Sequence, residues 1–461
     1  MKDIQHYMRP GLLQLPSLPP LSLYIHLPWC IKKCPYCDFN SHESKGGLLG
    51  QDVEQRYLDA LVADLDAALP LIWGRPVHSI FIGGGTPSLF SPQSIDHLLG
   101  AVRARVKLDA DCEITMEANP GTFEKDRFKA FRAAGVNRLS IGVQSFNDEH
   151  LKALGRVHNS AQAQEAIAEA AINFEAFNLD IMYALPGQSV AQCEQDIQTA
   201  LSFKPPHISI YHLTIEPNTY FAKFPPQVPE DDIAYDMLDR ITELTAAQGM
   251  ARYEVSAFAK KGFQCWHNTN YWQFGDYLGI GAGAHSKLSF AHRVVRQVRA
   301  RDPQLYMDKA LGVASIPPAN AAPNVPVPEA GAASTAGSKP ADSASHGIAA
   351  LSLSGAVALK GAHPNALSPD SASASGAIVQ DTEVPRADLP FEYMLGALRL
   401  TAGFKLQDFS DRTGLPITAI QKGLAQAESK GLVERDFVSV KPTTRGMDFL
   451  SDLQSLFLAD T

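Results

Sequence analysis

The chain has 461 residues, of which 45% are hydrophobic and 19% charged, an ordinary balance for a globular protein of two or three domains. A formal net charge of −9 argues against a protein built mainly to bind nucleic acid. No run of about 18 apolar residues could span a bilayer and no secretion signal opens the sequence, so we expect a cytoplasmic protein with at most peripheral membrane contact.

Six short apolar runs predict six β-strands separated by helices. Strands buried on both faces are apolar along their whole length, as these runs mostly are. Two of the spacers, Glu54–Leu69 and Ala161–Phe174, have helical periodicity, and parallel strands need crossovers of this length. A partly closed barrel and an open doubly wound sheet both fit the pattern. The runs are Leu21–Leu27, His78–Ile82, Glu113–Ala118, Asn137–Val143, Phe177–Leu185 and His207–Leu213.

Polar residues follow each of these runs. Three cysteines come after the first run and Gly83–Gly85 after the second, while Glu117, Gln144, Asp180 and His212 lie at or just beyond the ends of the others. Ligands of parallel α/β folds bind at the carboxyl ends of the strands. The sequence therefore predicts a ligand site at one end of the sheet.

The rest of the chain divides by composition. We expect a tail at 1–20, a core at 21–290, a connecting segment at 291–311 and an insertion at 312–385. The insertion is rich in Ala, Ser, Pro and Gly and lacks Phe, Trp and Tyr, so it is predicted to be disordered.

Residues 386–461 predict a small winged-helix-like domain, because two amphipathic segments are followed by a β-like stretch and another helix. The amphipathic segments are Leu406–Thr413 and Ile417–Ser429, the stretch is "LVERDFVSV", and the last helix begins at Thr444. The domain has nine Lys and Arg against ten Asp and Glu, which favours a structural or lid role over DNA contact.

The three cysteines, Cys30, Cys34 and Cys37, have C-x3-C-x2-C spacing, and the place two residues further on is Phe39. Thiolates select zinc, copper(I) or iron–sulfur clusters. Three thiolates on a four-iron cluster leave one iron free to bind a small molecule. Because His26 and His42 flank the triad, a zinc site with three Cys and one His is the alternative.

The triad, placed after a first strand, closely resembles the signature of the radical S-adenosylmethionine (SAM) superfamily. The resemblance implies a partial (β/α)6 TIM-like barrel and a [4Fe–4S] cluster whose open iron chelates the amino and carboxylate groups of SAM. In that family the cluster then donates one electron to cleave the sulfonium, so an electron donor is an expected partner.

Further blocks resemble one branch of that superfamily, the oxygen-independent coproporphyrinogen III oxidase (HemN) family and the related HemW family of heme chaperones. They are "YIHLPWC", "GGGTP", "EANP", "GVQSF", "LGRVH" and "LDIMYALPGQ". The resemblance covers Leu21 to about Ser286 and resumes from Leu389 to Leu458; Ala184 stands where relatives often have Gly. By the family pattern, the residues that match SAM contacts, some of which serve a second bound molecule in the oxidase, are Tyr24, Gly84, Gly85, Thr86, Glu117, Gln144, Arg156 and Asp180.

Two features favour the HemW side of this branch. The oxidase has a further cysteine at the place of Phe39, and "HNTNYW" (His267–Trp272) resembles the HNxxYW motif of HemW, which is proposed to take part in heme binding. An imidazole is a good axial ligand and aromatic rings offer flat faces to a porphyrin, so His267 is the expected ligand, with Tyr271 and Trp272 beside it. Cys265 and His285 are alternative ligands, and a packed aromatic turn without heme is the alternative structure.

We therefore expect a heme chaperone that binds heme and passes it to acceptor proteins such as respiratory heme enzymes, with a [4Fe–4S] cluster and exchangeable SAM. No catalytic residue is assigned. The alternatives are an oxygen-independent coproporphyrinogen III oxidase, which decarboxylates its substrate to protoporphyrinogen IX, and a zinc-binding structural or regulatory protein.

Overall fold

The computed structural model describes residues 4–44, 49–122, 126–313 and 376–459. The six predicted strands are confirmed, and they lie side by side in parallel in chain order. The third is longer than expected because it begins at Leu108 instead of Glu113. The strands are β1 Leu21–Leu27, β2 Val77–Gly84, β3 Leu108–Ala118, β4 Arg138–Gln144, β5 Ala176–Tyr183 and β6 His207–His212.

Six further strands extend this parallel core into a mixed sheet of twelve. They are β7 Ala251–Arg252, β8 Ala257–Ala259, β9 Asp276–Ile280, β10 His285–Phe290, β11 Arg293–Arg299 and β12 Ile378–Glu383. The order is β12-β11-β10-β9-β1-β2-β3-β4-β5-β6-β8-β7. The edge strands β12 and β7 are not paired with each other in the described residues, so the predicted partial barrel, and not a closed one, is observed.

Helices connect the strands and cover the outside of the barrel. Two of them begin with a capping box, in which Asn159 pairs with Gln162 and Ser189 with Gln192. The barrel helices are α1 Gln51–Ala68, α2 Pro92–Arg103, α3 Arg127–Ala134, α4 Asp148–Ala153, α5 Ser160–Asn173, α6 Val190–Ser202, α7 Asp231–Ala247, α8 Trp266–Trp272 and α9 Pro303–Ala310. Among the described helices, none combines the length and the hydropathy that crossing a membrane requires.

Two predicted boundaries need correction. Residues 378–383 of the predicted disordered insertion form β12, which pairs antiparallel with β11 because the open edge of β11 offers it unpaired backbone groups. The rest of the insertion from 314 to 375 lies outside the described residues. The expected end of the core at 290 falls between the paired strands β10 and β11, so the sheet extends through the predicted connecting segment.

The predicted tail before residue 21 is packed against the rest of the protein. The Tyr7 ring stacks on Phe290 with centroids 5.0 Å apart, and Leu13 and Leu15 are buried with the apolar side chains of the carboxyl-terminal domain. These residues therefore join the two domains.

The carboxyl-terminal domain has the predicted order of helix, helix, hairpin and helix. The elements are α10 Leu389–Ala397, β13 Phe404–Lys405, α11 Leu406–Thr413, α12 Gln421–Ser429, β14 Val433–Arg435, β15 Ser439–Pro442, α13 Thr444–Asp448 and α14 Leu450–Ser455. The three strands form a sheet in the order β13-β15-β14, which packs on the helices through one apolar core. The predicted segment Ile417–Ser429 is a 3₁₀ turn followed by α12.

The carboxyl-terminal domain packs against the end of the HNTNYW helix, α8. The Arg399 guanidinium lies 4.3 Å from the Trp272 ring centroid and 3.3 Å from a Glu254 carboxylate oxygen. Gly396 faces Trp272 so closely that a Cβ there would lie 2.6 Å from the Trp272 carbonyl oxygen. The domain thus fixes α8 from outside the barrel.

We predict that Gly396→Ala lowers the free energy of unfolding by about 1–3 kcal/mol, since the added methyl must push α10 away from α8. The matched change Gly100→Ala, in the middle of α2, meets no atom within 4 Å and should raise it by about 0.5–1 kcal/mol. Denaturant unfolding of both variants measures this. If both variants changed the free energy of unfolding by the same amount, the α8–α10 contact would not be tight.

Candidate functional site

The loop after β1 places the three cysteines over the carboxyl end of the barrel. The Cys37 amide donates to the Cys34 carbonyl at 3.1 Å, and the Ser44 amide donates to the Cys30 carbonyl at 2.8 Å. A short bridge pairs Trp29–Cys30 with His42–Glu43, and His26 Nε2 lies 2.9 Å from the Asn40 carbonyl oxygen. The loop therefore returns to its own start and is a closed, hydrogen-bonded unit.

Hydrogen-bonding groups that stabilise a thiolate surround the cysteines. Arg156 Nη1 lies 3.6 Å from Cys34 Sγ, and Ser41 Oγ lies 3.7 Å from Cys37 Sγ. Burial raises the pKa of Cys30 to about 11, against a hydrogen bond from Thr86 that lowers it; burial also raises the pKa of Cys37. Without a metal these two thiols are protonated at neutral pH, so binding a metal must release their protons.

The glycines at the end of β2 let the cysteine loop lie directly on the barrel. A Cβ on Gly85 would lie 2.5 Å from the Trp29 carbonyl oxygen, and one on Gly84 would lie 2.5 Å from the His26 ring. Gly84 has φ of +117°, which only glycine adopts readily. The Thr86 amide donates to the Trp29 carbonyl at 2.7 Å. "GGGTP" is thus a backbone platform for the loop.

Two carboxyls and a phenol line the upper part of the barrel interior, the lumen, and all three are partly accessible. The Gly84 amide donates to Glu117 Oε2 at 3.1 Å. Burial, with a contribution from the nearby Asp180 charge, raises the pKa of Glu117 to about 8. Burial also raises the pKa of Asp180 and, with the Glu117 charge, that of Tyr24. A cationic ligand beside these two carboxyls would favour their charged forms.

Gln144 and Arg156 complete this upper layer. Arg156 Nη2 donates to the Gly142 carbonyl at 2.8 Å, and a Cβ on Gly142 would lie 3.1 Å from Gln144 Nε2 and 3.3 Å from Arg156 Nη2. Gln144 has φ of +70° and Ala184 has φ of +56°. Ala184 therefore adopts the left-handed conformation, which costs an alanine more than a glycine.

The structure brings together all eight predicted SAM-contact residues and the three cysteines at the carboxyl ends of the strands. His267 lies elsewhere, at the floor of the lumen. Its ring centroid is 5.0 Å from that of Phe81, whose ring in turn stacks on Tyr24. The lumen therefore runs from the cysteine loop down to the HNTNYW helix.

His267 is 9% exposed, and it is held by two hydrogen bonds of its own and one of the preceding Trp266. Its amide donates to Glu113 Oε1 at 3.0 Å, the Trp266 amide donates to Glu113 Oε2 at 3.1 Å, and Nδ1 lies 3.0 Å from Ser79 Oγ. Burial lowers the pKa of His267 to about 3, so the imidazole is neutral. Nε2 has no hydrogen-bond partner among the described residues, which leaves it available as a ligand.

The expected aromatic faces beside His267 are already covered. Arg399 lies over Trp272, and Tyr271 packs on Tyr277 with centroids 5.0 Å apart. Phe81 is the ring next to His267 inside the lumen. Sequence reasoning missed Phe81, Glu113 and Ser79, although the alternation of β2 could have placed Ser79 and Phe81 on the inward face with Gly83.

The other predicted heme ligands differ in accessibility. The Cys265 thiol is 3% exposed and lies 3.5 Å from Glu113 Oε1. His285 is partly exposed, and burial, with nearby Arg296, Arg301 and Arg299, lowers its pKa to about 4. Both imidazoles, His267 and His285, are therefore neutral at physiological pH.

The donor set at the cysteine loop fits an iron–sulfur cluster. Three thiols project from one closed loop, and Thr86, Ser41 and Arg156 offer hydrogen bonds to their sulfurs, which is how proteins tune such clusters. In the described residues, no group of three or more His, Cys, Asp or Glu side chains is arranged to hold a single metal ion.

Comparison with known proteins identifies the class. Residues 24–200 match the model of the radical SAM superfamily, and residues 384–449 match the HemN C-terminal domain. The structure of Escherichia coli coproporphyrinogen III oxidase (HemN), a radical SAM enzyme, superimposes with a TM-score of 0.70 over 95% of this chain and 90% of that one. The two are 21% identical, so this likeness shows a shared fold.

Relatives in sequence define the family more narrowly. The heme chaperone HemW of Haemophilus influenzae is 39% identical over 448 residues, which are 97% of this chain and 100% of the relative. The heme chaperone HemW of Escherichia coli is 52% identical over 293 residues, 63% of this chain and 76% of the relative. The chain belongs to the HemW family of the radical SAM superfamily.

We predict that Glu117→Gln stabilises the cofactor-free protein more at pH 8 than at pH 5. The folded protein holds the Glu117 proton up to a pKa of about 8, above the ordinary 4.5, so stability is lost as the pH rises between these values. Glutamine has no proton to lose. Thermal unfolding at both pH values measures the difference.

The control for this prediction is Gln164→Ala, a change at an exposed position on α5 that removes no titratable group, whose effect should be the same at both pH values. If Glu117→Gln also had the same effect at pH 5 and pH 8, the carboxyl would be ionised in the folded protein like an ordinary surface glutamate.

Proposed function

We propose that this chain is a heme chaperone, which binds heme and passes it to acceptor heme proteins, and that it carries a [4Fe–4S] cluster with exchangeable SAM. The observation that carries the proposal is the relation along 97% of the chain to a protein named as a heme chaperone. Phe39, at the place of the oxidase's further cysteine, supports it. The cytoplasm and an electron donor for the cluster belong to the same proposal.

In this proposal Cys30, Cys34 and Cys37 hold the cluster. The bound cluster supplies an electron and an open iron for SAM, and the protein supplies binding and orientation. Arg156 offers its guanidinium to the Cys34 sulfur as a hydrogen-bond donor. The absence of side chains at Gly84 and Gly85 lets the cysteine loop lie directly on the end of β2.

The carboxyls below the loop suit the charge of SAM, which carries a sulfonium and an ammonium group. Burial raises the pKa values of both Glu117 and Asp180, and the Asp180 charge contributes to the shift of Glu117. A cationic ligand would lower these pKa values and favour both carboxylates. Tyr24 and Gln144 stand beside them as neutral hydrogen-bonding groups.

For heme we propose His267 Nε2 as the axial ligand, approached from the lumen. The imidazole is neutral, its Nδ1 is held by Ser79, and Phe81 offers a flat ring beside it. Iron ligation by a histidine whose other nitrogen is hydrogen-bonded is the usual arrangement in proteins. His285 is the second candidate, since it is partly exposed and lies near arginines that suit heme propionates.

We predict that anaerobic reconstitution with iron and sulfide gives a brown protein with about four irons per chain and absorbance near 400 nm. Cys34→Ala should lose this absorbance, because only two thiolates remain. Cys193→Ala, a buried cysteine on α6, should keep it and serves as the control. A colourless wild type, or zinc with four tetrahedral ligands, would favour the zinc-binding alternative.

We predict that His267→Ala weakens heme binding by at least about tenfold, the effect of losing one good ligand or its support. His97→Ala, at an exposed position on α2, is the control and should bind heme as the wild type does. Absorbance titration in the Soret region measures both. A loss in His285→Ala, with none in His267→Ala, would move the ligand to His285.

The oxidase alternative is tested in the same preparations. Cluster-loaded protein with SAM and reductant is given coproporphyrinogen III, and released carbon dioxide is measured. Tight stoichiometric heme binding without carbon dioxide supports the chaperone, whereas turnover of coproporphyrinogen III contradicts it.

A further inference from the structure

A chain of hydrogen bonds runs through the lower half of the barrel from Asp180 to Cys265, the residue before α8. Asn178 Nδ2 donates to Asp180 Oδ1 at 2.8 Å, and Asn178 Oδ1 lies 2.6 Å from His207 Nδ1. His207 Nε2 lies 2.8 Å from Tyr253 Oη. Tyr253 Oη accepts from the Cys265 amide at 3.2 Å. We call these five residues the buried chain.

One assignment of directions gives every donor in the buried chain an acceptor. The Cys265 amide donates to the Tyr253 hydroxyl, and the hydroxyl gives its own proton to His207 Nε2. His207 is neutral and therefore carries its proton on Nδ1 and donates to Asn178 Oδ1. That turns the Asn178 NH₂ group toward Asp180, where Oδ1 accepts from it. Each donor meets an acceptor.

Four members of the buried chain, all except Asp180, cannot easily replace their partners with water. Asn178, His207, Tyr253 and Cys265 are at most 6% exposed. A broken link leaves a buried polar group without a partner, which is costly, and aligned hydrogen bonds strengthen one another in a dry interior. The chain is therefore a stiff connection between its two ends.

The two ends of the buried chain lie in different parts of the site. Asp180 belongs to the partly accessible upper lumen together with Glu117, whereas Cys265 begins the helix of His267. Between them the chain crosses β5, β6 and the segment before β8. Glu113 joins the lower end, because its carboxylate accepts from the Trp266 and His267 amides.

We propose that Asn178, His207 and Tyr253 are positioning residues that couple occupancy of the cofactor site at Asp180 to the position of helix α8, which carries His267. The proposal rests on the proposed function for the identity of the ligand at Asp180, which is SAM. A ligand that engages Asp180 holds its carboxylate in place and tightens each following hydrogen bond. By linkage, whatever binds at α8 then changes the affinity for SAM by the same factor.

Hydrogen–deuterium exchange tests the coupling without heme. Cluster-reconstituted protein is compared with and without SAM, and mass spectrometry follows a peptide that spans residues 263–274. In the wild type SAM should slow exchange of this peptide by about 2- to 30-fold, the range for coupling through packed networks. Equilibrium dialysis measures SAM binding in the same samples.

The variant that breaks the buried chain is Tyr253→Phe, which removes one hydroxyl and keeps the ring. Its peptide should exchange faster than that of the wild type and should no longer respond to SAM. Asn178→Ala, which cuts the chain at its other end, should also lose the response and serves if Tyr253→Phe does not fold. Tyr183→Phe, at the end of β5 and outside the chain, is the matched control and should respond as the wild type does.

The outcomes separate this inference from the proposed function. If the wild type binds SAM but the exchange rate of the 263–274 peptide does not change, the coupling is contradicted and the proposed function is not affected. A normal response in Tyr253→Phe or Asn178→Ala overturns it as well. Cluster-loaded wild type that does not bind SAM would remove the cofactor part of the proposed function, and the coupling with it.

Discussion

The close approach of two backbones is the constraint on which the rest of the site depends. The segment that leaves β1 crosses the end of β2 at a distance that no side chain would allow, since Cβ atoms on Gly84 and Gly85 would overlap His26 and the Trp29 carbonyl. This contact sets the height of the cysteine loop above the barrel. The Gly84 amide also donates to Glu117 Oε2, so the same turn connects the cysteine loop to the carboxyls of the upper lumen.

The upper and lower halves of the barrel interior differ in accessibility. Its upper half is partly accessible and has carboxyls with raised pKa values, as expected where a cation is to bind. The side chains of its lower half are buried, and polar groups there, such as Asn178 and His207, are hydrogen-bonded to one another. His267 lies where these regions meet the floor helix. An accessible upper half suits exchange of a ligand, and a satisfied lower half keeps the floor in one position.

The sequence was sufficient to predict the six parallel strands, the carboxyl-terminal domain and the set of polar residues at one end, because each depends on local patterns of burial and on strand direction. It could not place Arg399 over Trp272 or Phe81 beside His267, since these contacts join segments far apart in the chain. The strand Ile378–Glu383 could not be predicted from the sequence for a similar reason. Its formation depends on the free edge of β11 and not on its own modest apolar content.

The central claim is that this chain carries heme to other proteins. The most direct measurement is transfer from the heme-loaded, cluster-containing protein to a purified heme-free acceptor enzyme, followed by separation of the two and by the acceptor's activity. The account predicts that the acceptor gains heme and activity in step with the loss from the donor, and faster than from the same amount of free heme. If heme stayed on the donor, or if free heme activated the acceptor equally fast, the account would be contradicted.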